Sequence, residues 1–62
     1  MGHSKKMQIE LMARRLESQA ARLLEGATLL KNNGYLEMAE QVALQANELI
    51  KAIDQLRAVD PD

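Results

Sequence analysis

The chain has 62 residues, 47% of them hydrophobic and 27% charged, which is the composition of an ordinary soluble protein and allows one domain at most. With no cysteine and a single histidine, neither a disulfide nor an obvious structural metal is available as a staple. The formal net charge is −1, yet residues 1–34 carry six basic against three acidic groups and residues 35–62 two against six. A basic first half admits an anionic partner, and opposite charges on the two halves also favour their pairing.

No run approaches the roughly 18 apolar residues of a membrane span, and nothing resembles the core of a signal peptide, so no membrane partner and a cytoplasmic address are expected. Gly2 does not make a myristoylation site, because Lys6 stands where serine or threonine is required.

The first element is a helix over about residues 4–32. Ser4 is placed to cap it, its hydroxyl accepting from a backbone N–H two or three residues on. Ile9, Leu16, Leu23 and Leu30 recur every seven residues, with Ala13, Ala20 and Ala27 between them, as the d and a positions of a heptad repeat. Small alanines let a facing helix come close while leucines fill the space above and below. Met12 and Leu24 widen the stripe beyond a two-stranded seam. Gly26 is the local flaw, costing about 1 kcal/mol against alanine inside a helix. It reads either as a close-packing position or as access for a partner.

Asn32, Asn33 and Gly34 form the turn, at about residues 32–34. Either Gly34 supplies a left-handed C-cap to the first helix or Asn33 caps the second. So short a connection makes the helices antiparallel neighbours. The second helix, at about 35–59, repeats the scheme with Tyr35, Val42, Leu49 and Leu56 at d and Ala39, Ala46 and Ile53 at a. Tyr35, the one aromatic residue, is expected in the core at the hairpin end. Asp60-Pro61-Asp62 is expected to stop the helix.

The fold class that follows is all-α: an antiparallel helical hairpin that dimerises into a four-helix bundle. Two helices touching along one line bury too little for so small a chain, and self-association is the remaining common remedy. The expected dimer core is Ile9, Ala13, Leu16, Ala20, Leu23, Ala27, Leu30, Ala39, Val42, Ala46, Leu49, Ile53 and Leu56.

Chemistry is sparse. A carboxylate-bridged metal bundle needs inward glutamates with a Glu-x-x-His pair, and the only histidine is His3, so no metal and no cofactor are expected. Glu37 and Glu40 begin the second helix, where the helix dipole already favours negative charge. Ser4, Ser18 and Thr28 have no histidine relay and no oxyanion loop, which argues against an enzyme and leaves no catalytic residue to name. Surfaces remain. Arg14, Arg15, Gln19 and Arg22 form a basic strip on the first helix suited to a nucleic-acid backbone. Alternatively, the outward Leu11, Leu29 and Leu44, if they cluster in the dimer, become a docking patch for another protein, making the hairpin an adapter without nucleic-acid binding.

Met12-Ala13-Arg14, Ser18-Gln19, Leu23-Leu24-Glu25 and Ala46-x-Glu48-Leu49 occur in the order, and without gaps, seen in the Rop (repressor of primer) family of plasmid copy-number regulators, which the chain resembles over nearly its whole length. The resemblance implies a dimer of hairpins whose paired first helices bind kissing RNA stem-loops and so regulate plasmid replication. Arg14 and Gln19 match contact positions of that family. Its asparagine, central phenylalanine and distal lysine fall at Leu11, Arg15 and Gly26, so the contact implied here rests on charge more than on stacking.

Overall fold

The computed structural model describes residues 4–59 and contains two helices, α1 (Lys5–Asn32) and α2 (Leu36–Ala58), packed side by side as an antiparallel hairpin. Ser4 caps α1 as its sequence position suggests, its Oγ accepting from Met7 N–H at 3.1 Å. The 28 residues of α1 and 23 of α2 rise about 42 and 35 Å at 1.5 Å per residue. No described helix is long and apolar enough to cross a membrane. His3 and the Asp60-Pro61-Asp62 stop lie outside the described residues; within them, α2 has already given way to extended backbone at Val59 (φ −67°, ψ 132°).

The turn resolves the choice between the two caps. Gly34 has φ +88°, the left-handed region that side-chain-bearing residues seldom adopt, and Asn33 does not cap α2. Gly34 N–H donates to Lys31 C=O at 3.0 Å and Tyr35 N–H to Leu30 C=O at 2.9 Å, the paired bonds of a Schellman motif. The Asn33 side chain turns back instead, its Nδ2 donating to Leu29 C=O at 2.8 Å. These bonds satisfy carbonyls that the end of α1 would otherwise leave unpaired. Tyr35 stands just before α2 as its non-helical N-cap rather than at a core position, and the residue is 57% exposed in the hairpin.

Packing follows the heptad, with a division that matters. Ala13, Ala20 and Ala27 of α1 and Ala39, Ala46 and Ile53 of α2 are buried, and these six are all a positions. Ile9, Leu16, Leu23, Leu30, Val42, Leu49 and Leu56 are only half-buried. At roughly 100° per residue, a lies between d on one side and e on the other. The a residues therefore fill the line of contact, while both rows of d residues turn toward one broad face.

That face carries the leucines together with the residues one step further round, Met12, Gln19 and Gly26 on α1 and Met38, Gln45 and Ala52 on α2. The opposite face carries Glu10, Glu17, Leu24 and Lys31 from α1 and Leu36, Ala43, Ile50 and Arg57 from α2. The Cα trace measures 51 × 18 × 9 Å, a single layer of helices, whereas stable domains enclose a core between at least two layers.

Gly34→Ala should lower stability by about 1 kcal/mol, because the added Cβ meets open space but the φ does not suit an L residue. Denaturant melts of two synthetic chains, one with L-alanine and one with D-alanine at this position, separate the two terms. D-alanine should match or exceed glycine, and an equal loss from both would contradict the cap.

Candidate nucleic-acid interface

All four candidate contact residues, Arg14, Arg15, Gln19 and Arg22, are exposed on α1, but they do not share one strip. Arg15 and Arg22 stand one heptad apart on the same line of the helix, about 10.5 Å from each other in rise, and Gln19 lies beside them on the edge of the leucine face. Neither arginine makes an ion pair among the described residues. Arg14 points round to the other flank, where its Nε bonds Glu10 Oε2 at 3.3 Å. Its charge is thereby partly answered within the helix, as an i, i+4 pair with glutamate on the N-terminal side.

Glu10 belongs to a larger cluster that the apolar heptad does not reveal. Arg57 of α2 reaches across to α1 and forks onto two carboxylates. Its Nε and Nη2 bond Glu10 at 3.2 and 2.9 Å, and its Nη1 and Nη2 bond Glu17 at 2.7 and 3.1 Å. Glu10 and Glu17 are one heptad apart, so a guanidinium between them meets both with its planar fork. The signal was present in the sequence as a pair of glutamates at the two N-terminal e positions of helix 1 and an arginine at the last e position of helix 2.

Hydrogen bonds from Arg57 hold the Glu10 carboxyl below its ordinary value of 4.5, opposed by partial desolvation and aided by the charges of Arg57 and Arg14. The Glu17 carboxyl is lowered first by its hydrogen bonds to Arg57, with the nearby Glu10 working against it. Arg57, bonded to both, is pushed higher and stays charged. Because the cluster is solvent-exposed, it acts mainly to set which residues of α1 and α2 stand level at the open end of the hairpin.

The same flank holds a shallow apolar groove nearer the turn, about 440 Å³, lined by Leu24, Ala27, Leu36, Ala39 and Ala43 with Lys31 and Glu40 at its rim. Leu11, Leu29 and Leu44, the outward leucines, are 46%, 64% and 55% exposed, and within one hairpin Leu11 and Leu29 stand about 27 Å apart in rise along α1. Among the described residues no group of three histidine, aspartate or glutamate side chains is placed to hold a metal ion. Searches against protein families, curated proteins and solved structures find no match to this chain.

The lowered carboxyls carry a sign. Glu10 and Glu17 contribute stability above the unfolded-state value near 4.5, and the contribution is lost as pH falls through their lower folded-state values. Melting temperature followed from about pH 6 down to about pH 3 should therefore drop, and drop less in Arg57→Met. Equal drops in the two proteins would show that the cluster does not couple α2 to α1.

Proposed function

We propose that the hairpin is a non-enzymatic subunit of a dimeric four-helix bundle, similar to the Rop family, and that the bundle binds RNA through paired α1 helices. The observation that carries the dimer is the half-buried leucine face. The chain exposes 5199 Å², whereas a compact monomer of 6.9 kDa exposes about 4,000 Å² by surface-to-mass scaling. Two copies merged face to face into one compact body would hide on the order of 3,000–4,000 Å² in total, within the range of obligate homodimers.

RNA binding is supported by Arg15 and Arg22, exposed, unpaired and aligned beside Gln19. If α1 lies antiparallel to α1 of the second copy, the strip becomes four arginines and two glutamines along one edge. Such a row suits a phosphate backbone, and with no aromatic side chain in it the recognition is of shape and charge rather than of stacked bases. Arg14, tied to Glu10, contributes least. Taken over from the resemblance, the biological role is control of plasmid replication through RNA stem-loops.

A second reading is supported by the groove beside Leu24, Leu36 and Ala43. It lies on the face away from the leucines, remains open in the dimer, and suits an adapter that docks another protein's helix.

A gel shift with a pair of complementary RNA stem-loops separates the two. Binding should be strong at low salt and weaken steeply toward physiological salt. The Arg15→Ala/Arg22→Ala variant, which removes four charges per dimer, should flatten the log–log salt slope by about three units, and Arg14→Ala should change it little. Absence of a shift at low salt would overturn the RNA reading and leave the adapter.

A further inference from the structure

Gly26 is the one glycine inside a helix among the described residues, and within the hairpin nothing explains it. A Cβ built there meets no atom within 4 Å, so alanine would fit and would favour the helix. The residue is nonetheless only partly accessible and lies on the edge of the leucine face, the surface left without a partner. A glycine that is not needed by its own chain is informative about what approaches from outside it.

We infer that Gly26 is a notch in the leucine face that receives a methionine side chain from a second copy. The inference rests on the dimer proposed above and specifies a contact within it. Two hairpins stacked through their leucine faces about a two-fold axis have two possible arrangements. In one, α1 lies antiparallel to α1 of the other copy. The apolar stripe runs from Ile9 to Leu30, so an axis through its middle brings together residues whose numbers sum to about 39, and Gly26 meets Met12 of the second copy.

In the other arrangement the turns lie at the same end and α1 runs along α2 of the second copy. Levels within the hairpin are fixed by the ion cluster at one end and the turn at the other. Ala27 and Ala39 line one groove together, as do Leu24 and Ala43, so numbers on the two helices sum to about 66. The residue on the same edge opposite Gly26 is then Met38 of the second copy.

Either way the side chain facing the notch is methionine, and Met12 and Met38 are 53% and 56% exposed in the hairpin alone. An unbranched, flexible thioether is suited to filling a recess over bare backbone. The symmetry also makes the contact reciprocal, so each dimer has two filled notches.

The chain has no cysteine, so thiols can be introduced without background. Chains carrying Gly26→Cys are refolded with chains carrying Met12→Cys, and separately with chains carrying Met38→Cys, then treated with a short bis-maleimide. One of the two mixtures should give a band at twice the chain mass on a denaturing gel, while each variant alone should not. Gly26→Leu should weaken self-association of the otherwise unchanged chain at least tenfold, because the methionine is displaced.

A link through Met12 places α1 beside α1. A link through Met38 retains the notch but removes the doubled arginine strip, and with it the proposed RNA edge. If neither mixture links while sedimentation of the unmodified chain still shows a dimer, the notch is wrong and the dimer stands. If the chain is a monomer, both fail.

Discussion

The contact between α1 and α2 is a row of alanines, and the rest of the molecule depends on it. With Ala13, Ala20 and Ala27 against Ala39, Ala46 and Ile53, the line between the helices is filled by five alanines and, at the open end, one isoleucine, and is closed to solvent. Leucines one position round the helix have no room in that line. They are turned outward onto one face, where a single layer of helices has nothing to cover them. The hairpin is thus well determined in its internal geometry and incomplete in its burial, which is the ground for the proposed dimer.

Polar groups complete the hairpin at its two ends. At the closed end, Gly34 and the returning hydrogen bonds of Gly34 and Tyr35 fix how the chain leaves α1. At the open end, Arg57 holds Glu10 and Glu17 and keeps α2 level with α1. Both lie away from the leucine face, so neither would decide how two copies meet in the proposed dimer. That is left to edge residues. In the proposed dimer with α1 beside α1, Arg15 faces Arg22 of the second copy, an arrangement that a polyanion would relieve. With α1 beside α2, Arg15 comes near Glu48 of the other copy, and the same arginine becomes part of a protein contact. On the proposed reading, RNA binding therefore depends on which arrangement the dimer takes.

The hairpin was legible in the sequence because the seven-residue apolar period survives on both sides of one short turn, and no proline interrupts it. The Ser4 cap was legible for the same reason: a single hydroxyl stands at the start of the pattern. The turn was ambiguous because Asn33 and Gly34 each suit a cap, and only the partners of the Gly34 and Tyr35 N–H groups decide between them. Tyr35 misled because the heptad was extended one residue beyond the helix, to a position where the backbone is not yet helical. The arginines of α1 were grouped by charge, but Arg14 and Arg15 are separated by the 100° turn between neighbouring helical residues, and Glu10 draws Arg14 to the other flank. The Arg57 cluster joins residues 40 and 47 positions apart, a relation visible only when charged heptad positions are followed as closely as apolar ones.

The claim that a second copy covers the leucine face is tested most directly by sedimentation equilibrium of the unmodified chain over a wide range of concentration. A mass of about 14 kDa, twice the 6.9 kDa of the chain, is expected, with dissociation on dilution accompanied by loss of helix. A folded 6.9 kDa monomer that keeps its helix content at every concentration would contradict it.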